Sequence, residues 1–189
     1  MADHRRIAVL IGSLRADSYN RRLALALAGM APAHVTFEHI AIHDLPPYNQ
    51  DEDARMPEPA QRLKREIEAA DALMFVTPEY NRSIPGVLKN AIDWASRPYG
   101  KNSFAGKPTA VIGISIGTVG TAVAQQHLRT VLAYLDVPTL GQPEAFLQFK
   151  DGLIDPAGKV GNESTAAFLR QWLDSALAWF EAVLAGRGR

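Results

Sequence analysis

IAVLIGSLRADSYNRRLALALAGM, residues 7–30, is the stretch whose reading decides the fold. Residues 7–11 form a continuous apolar run with β-branched Ile7, Val9 and Ile11, the pattern of a strand buried on both faces. Residues 20–30 are rich in Ala and Leu and read as a helix. Between them lies a polar segment, Gly12 to Tyr19, without period. A buried strand therefore runs through a short polar turn straight into a helix.

The same alternation continues outward. Residues 35–42, 72–77 and 109–115 read as strands, and 138–149 holds a fifth. Helices are expected at 60–70, 86–95, 121–135 and 164–184. The last is expected to place Phe168, Trp172, Leu173, Ala176, Trp179, Phe180 and Val183 on one core-facing side. Residues 43–59, with Asp44, Asp51, Glu52 and Asp53 and several prolines, read as a loop, with Tyr48 placed to rim a site. Trp94 is expected under the second site loop or at a subunit contact, and residues 150–163 form a second excursion. Five βα units in order imply a parallel sheet with helices on both faces and right-handed crossovers. Ligands of such sheets bind beyond the carboxyl ends of the strands. The loops after Ile11, Thr77 and Ile114 are therefore the places for chemistry.

Composition narrows the classes. With 189 residues the expectation is one domain, 1–189. Zero Cys excludes disulfide scaffolds, thiolate nucleophiles and Cys-held metal clusters. Lys and Arg number 20, as do Asp and Glu, so a dedicated nucleic-acid binder is disfavoured. No run approaches the roughly 20 apolar residues of a membrane span. Arg15 and Asp17 interrupt what would be a signal-peptide core. Without such a signal the sequons at Asn81 and Asn162 carry no weight. The expected location is cytoplasmic.

In the first loop, a helix N-terminus offers free N–H groups and a positive dipole end. Ser13, Ser18 and Asn20 add side-chain donors, and Arg15 a planar guanidinium matched to phosphate oxygens. This pattern reads as a phosphate site; the competing reading is that Ser18 and Asn20 only cap the helix. No G-x-G-x-x-G follows the strand, so a dinucleotide-binding turn of that kind is absent. Residues 100–107 resemble a P-loop only superficially, since Pro108 stands where Ser or Thr belongs.

In the second loop, Thr77-Pro78-Glu79-Tyr80-Asn81-Arg82-Ser83-Ile84-Pro85-Gly86, two prolines flank an aromatic. It reads either as a stiff platform for a planar heterocycle or as a surface turn leading into a helix. The third loop, Gly113-Ile114-Ser115-Ile116-Gly117, matches the G-x-S-x-G elbow of hydrolases. That elbow needs an acid and then a His downstream. No acid lies between Ser115 and His127, so the hydrolase fails, and the loop reads as one that lets backbone approach a ligand. The five histidines show no metal spacing, and no metal is expected.

These loops resemble those of the NADPH-dependent FMN reductases of flavodoxin-like fold, the group with the quinone and chromate reductases. GSLRADSYNRRLA is similar to that family's G-S-x-R-x-x-S-x-N phosphate loop. TPEYNRSIPGVLKNAIDWASRP is similar to its P-E-Y-N-x-S-x-P-G-x-L-K-N-A-I-D-W-x-S-R-P block. SIGTVGTA matches more loosely, with Thr121 where the family often has Gly. The resemblance spans about residues 7 to 140. It implies a three-layer, flavodoxin-like sandwich around a five-stranded parallel sheet. It also implies that Ser13, Leu14, Arg15, Ser18 and Asn20 hold the phosphate of FMN. Pro78, Glu79, Tyr80, Asn81 and Ser83 would line its isoalloxazine, with Ser115 and Gly117 on the other side. NADPH or NADH would donate hydride to the bound flavin, and the acceptor would be a quinone, chromate, azo compound or flavin. No side chain is expected to act as catalytic acid or base. Arg82 and Arg97 are candidates for the 2′-phosphate of NADPH or an anionic acceptor. A homodimer or homotetramer is expected. The alternative is a flavodoxin-like electron carrier, which would not react with nicotinamide; such carriers are usually strongly acidic, unlike this neutral chain. A flavin-free binding protein on the same fold is the remaining alternative.

Overall fold

A computed structural model describes residues 3–187, so the outermost residues of the expected 1–189 span lie outside the described residues. The five strands are β1 (Arg5–Ile11), β2 (Val35–His39), β3 (Ala72–Val76), β4 (Thr109–Ser115) and β5 (Phe146–Gln148). They form one parallel sheet in the order β2-β1-β3-β4-β5. Central β3 is buried at all five positions, whereas edge strand β2 is partly exposed throughout. Burial on both faces explains why the inner strands read as unbroken apolar runs rather than alternating ones.

Alternate strand residues feed two cores. Ile7, Val9, Met74 and Ile112 pack under α1 (Tyr19–Met30) and α5 (Glu163–Arg187). Ala8, Leu10, Phe75 and Val111 pack under α2 (Glu58–Ala69), α3 (Gly86–Ala95) and α4 (Ala122–Tyr134). The result is the expected three-layer sandwich, with the 2-1-3-4-5 strand order of flavodoxin-like sheets. Fully burying each Leu, Ile or Phe here contributes roughly 1.5–3 kcal/mol.

Several local expectations need correction. In α5, Phe168 is solvent-exposed, and Leu169 takes its place in the core beside Trp172, Leu173, Ala176 and Phe180. Residues 43–59 are not a bare loop but contain a 3₁₀ turn, Gln50–Arg55. The segment is pinned to α3. Tyr48 N–H donates to Asn90 Oδ1 (2.7 Å), and Trp94 Nε1–H donates to Pro46 O (2.8 Å). Trp94 is fully buried under this segment, edge-on to Tyr48, rather than under the second site loop. The P-loop look-alike ends at the entry to β4, the opposite end of the sheet from the three site loops.

In the 150–163 excursion, Asp155 Oδ1 accepts from Ala157 N–H and Lys159 N–H, and Ile154 plugs into the α1/α5 core. Gly158 (φ +87°) lies so close to α1 that a Cβ would sit 2.7 Å from Leu25 Cβ. Among the described residues no helix is long and apolar enough to cross a membrane.

Candidate functional site

The carboxyl ends of β1, β3 and β4 lie side by side, and their three loops enclose a cavity of about 290 Å³. From the first loop it is lined by Ser13, Arg15, Ser18, Tyr19 and Asn20. The second contributes Pro78, Glu79 and Tyr80, and the third Ile114, Ser115 and Ile116. Of the expected residues, Leu14, Asn81, Ser83 and Gly117 do not line it. Leu14 is half exposed on the far side of the first loop, where it borders a second cavity.

The first loop is built to present donors. Ser18 is the N-cap of α1, its Oγ accepting from Arg21 N–H at 3.3 Å. That satisfies one terminal donor, and the N–H groups of Tyr19 and Asn20 start the helix with no acceptor inside it. The capping reading of Ser18 is thus correct and compatible with a phosphate site. The Arg15 guanidinium lies 5.4 Å from the Tyr19 ring centroid and has no carboxylate partner among the described residues. Tyr19 stacks on Phe149 at 3.8 Å between centroids, which holds the cavity wall. Asp17, the acid nearest these donors in sequence, is paired with Arg22.

Asn20 has a different duty from the one its motif suggests. Its Nδ2 donates to Ile114 O (2.9 Å) and its Oδ1 accepts from Ile114 N–H (3.1 Å). Ile112 O accepts from Thr77 N–H, so this edge of β4 faces β3. One step further along, β3 continues into Pro78, which has no N–H to offer. Ile114, two residues beyond Ile112, presents its backbone to the same side. The Asn20 amide substitutes for the missing strand, and its own backbone N–H remains for a ligand. Gly113 is required next to this seam: a Cβ there would lie 2.2 Å from Thr77 O.

The second loop is held from behind. Glu79 Oε2 accepts from Val123 N–H (3.0 Å) and Ala124 N–H (3.1 Å) at the start of α4, and Oε1 accepts from Arg82 (3.1 Å). Thr121, the N-cap of α4, makes no side-chain cap, so Glu79 supplies it from another loop. Tyr80 and Ser83 exchange two backbone hydrogen bonds of 3.0 Å across Asn81 (φ 51°) and Arg82 (φ 64°). This left-handed pair makes a tight turn and leaves Tyr80 half exposed at the cavity mouth. Ser83 Oγ lies 3.1 Å from His127 Nδ1. His127 thus braces the second loop and is not aimed at Ser115, whose Oγ accepts from Gly117 N–H (3.2 Å). The nucleophile-elbow reading is closed geometrically as well.

Arg82 is paired with Glu79, and neither Arg82 nor Arg97 lines the cavity. Tyr19, Ile114 and Ile116 line it and were missed. A signal existed for Tyr19, one residue past the N-cap, and for the residues flanking Ser115 at a strand end. None existed for His127 or for the Glu79 cap, which join loops distant in sequence. No group of three or more His, Asp or Glu among the described residues is placed to hold a metal ion.

The donor set suits FMN. One uncompensated guanidinium, serine hydroxyls and free helix N–H groups match a phosphate. The one carboxylate in the cavity wall is turned away, onto α4 and Arg82. Apolar Pro78, Tyr80, Ile114 and Ile116 border the side where a flat ring would lie.

Comparisons with known proteins agree. The family model for NADPH-dependent FMN reductase matches residues 5–151. A 2-hydroxy-1,4-benzoquinone reductase from Burkholderia sp is 51% identical over 174 residues, 92% of this chain and 95% of the relative. The solved structure of a flavoenzyme NAD(P)H:(acceptor) oxidoreductase from Paracoccus denitrificans superposes with a TM-score of 0.90 at 46% identity, covering 94% of this chain and 98% of that one. A flavodoxin from Pseudomonas aeruginosa shares only the fold, at 18% identity and a TM-score of 0.58, covering 90% of this chain and 98% of that one.

Proposed function

This chain belongs to the NADPH-dependent FMN reductase family, and from that premise we propose how its own residues serve the activity. It is an FMN-dependent NAD(P)H oxidoreductase that reduces a small acceptor of the quinone class. The cavity shared by the three loops carries this reading. When bound, FMN supplies the hydride chemistry, accepting from NAD(P)H and passing reducing equivalents to the acceptor.

The chain binds and orients. Ser13, Leu14, Arg15, Ser18 and Asn20 hold the phosphate, Leu14 through its backbone and Asn20 through its backbone N–H. Pro78, Glu79 and Tyr80 form the ring platform, with Asn81 and Ser83 shaping the turn behind it; Ser115 lies opposite, its Oγ held by Gly117 N–H. The turn at Asn81 and Arg82 and the two prolines stiffen the platform, so little ordering entropy is lost on binding. Tyr80 and Ile116, both exposed, leave an apolar rim for a flat acceptor. Chromate, azo compounds and flavins are the further acceptors. One domain spanning 1–189 acts in the cytoplasm, as a homodimer or homotetramer.

The purified protein, loaded with FMN, is mixed with NADPH with and without a benzoquinone, and nicotinamide absorbance is followed. FMN retention and quinone-stimulated oxidation are expected. FMN retained without any NADPH oxidation would instead make the protein a carrier.

A further inference from the structure

A second cavity, about 330 Å³, lies on the other side of the first loop, between it and the segment that leaves β2. The two cavities share Ser13 and Arg15, so the 13–16 loop is the ridge between them. Besides Arg15, its wall carries Arg21, His39 and His43, and no carboxylate. The acids of the flanking segments are already engaged: Asp17 with Arg22, Glu38 with Arg6, and Asp44 with Arg62. Arg21, His39 and His43 have no carboxylate partner among the described residues. Arg21 lies near enough to His39 that, after loss of hydration, its charge is the second cause lowering the imidazole pKa. Two guanidiniums and two imidazoles gathered with no carboxylate in the cavity wall form a receptor for an anion.

The rest of the wall is apolar, from Ile11, Leu14, Ile40 and Ile42. The volume is several times that of a phosphate ion and reaches the range of small-molecule sites, about 300–1,000 Å³. A ligand with both a flat heterocycle and a phosphate uses all of these features. We propose that this cavity receives the adenosine 2′-phosphate end of NADPH. The dinucleotide would reach across the 13–16 ridge to the flavin cavity. Arg21 supplies charge beyond Arg15, and His39 and His43 add imidazole nitrogens that can donate to an anion, so the two phosphates need not share one guanidinium. The assignment replaces Arg82 and Arg97 as readers of the 2′-phosphate, and it rests on the NAD(P)H oxidoreductase reading for the identity of the ligand.

Calorimetric titration of the FMN-loaded protein with adenosine 2′-phosphate, adenosine and inorganic phosphate tests it. Adenosine 2′-phosphate is expected to bind about tenfold or more tightly than either of the others. Arg21→Gln and His43→Gln are each expected to weaken it, the Arg change by about tenfold, the scale of one charge-assisted bond. In parallel, Arg21→Gln is expected to raise the ratio of KM for NADPH to KM for NADH by a similar factor. Unaltered adenosine 2′-phosphate affinity in both variants overturns the proposal. Inorganic phosphate binding as tightly as adenosine 2′-phosphate overturns the nucleotide assignment. The binding measurement needs no hydride transfer. A protein that retains no FMN would therefore sink the oxidoreductase reading, and the same titration on the flavin-free protein would still decide the cavity.

Discussion

Asn20 closes a two-bond ring with the backbone of Ile114, donating to its carbonyl at 2.9 Å and accepting from its N–H at 3.1 Å. All four atoms lie in a buried part of the seam where β3 and β4 separate. The motif asparagine is a brace for the third loop before it is anything to a phosphate.

Asn20→Ala therefore strips partners from a buried N–H and a buried C=O. A loss of roughly 2–4 kcal/mol of stability is expected, from unsatisfied groups costing about 1–3 kcal/mol each. Urea denaturation of the flavin-free protein measures it. An unchanged midpoint without flavin would mean that Asn20 matters only as a ligand contact.

Arg15→Ala is expected to do the reverse. The side chain is exposed and unpaired, so stability without flavin should hold within about 0.5 kcal/mol. FMN affinity should fall by roughly 1.5–3 kcal/mol, the scale of a hydrogen bond to a charged group. Quenching of flavin fluorescence on titration reads the change, and equal affinities would displace the phosphate site from this loop.

Glu79→Ala removes the acceptor for two N–H groups at the head of α4 and frees Arg82. A loss of about 1–2 kcal/mol is expected, as for a helix cap with a charge at the dipole's positive end. Thermal melts measure it. Glu79→Gln keeps the shape and loses the charge, so it should fall between parent and Ala.

Arg5 grips Glu181 through two bonds of 2.7 and 2.9 Å, tying β1 to α5. The hydrogen bond from Arg5 is the main reason the Glu181 pKa lies below its ordinary value, against a smaller opposing effect of burial. A carboxylate with a folded pKa below its unfolded value of about 4.3 stabilises fully above that value. The contribution disappears as pH falls through the folded pKa. Both partners are partly exposed, so about 0.5 kcal/mol is expected at pH 7. Denaturation of Glu181→Gln and parent across the acid range should show a gap at neutral pH that closes in acid. A gap constant with pH would assign the effect to packing.

The nicotinamide of the donor and the ring of the acceptor are both expected on the same flavin face beside Tyr80. They should therefore take turns, giving parallel double-reciprocal lines when one substrate is varied at fixed levels of the other. Intersecting lines would place both on the protein together.

Much of the architecture was legible because burial on both faces leaves a mark in composition. β3 and β4 could read as unbroken apolar runs only if helices covered both sides. The gathering of Ser13, Arg15, Ser18 and Asn20 at one cavity was legible because they are neighbours in the chain. What escaped were relations between loops. The Glu79 cap on α4 joins positions 44 apart, and the pairing of Asn20 with Ile114 joins positions 94 apart. The basic cavity escaped too, because Arg21 and His43 look like scattered surface charges until β2 is laid beside β1.

By itself the sequence determined the strand and helix order, the three loops that enclose the shared cavity and the absence of thiol redox groups. Those follow from local pattern: apolar period, helix-end residues and residue inventory. Tertiary structure alone decided which polar side chains stay free for a ligand. Asn20, Glu79 and Arg82 look available in the chain and are paired in the fold, while Arg15 and Arg21 have no carboxylate partner among the described residues. For Asn20 and Glu79 the reason is that a polar group near the interior must be paired, and the fold, not sequence neighbours, chooses the partner.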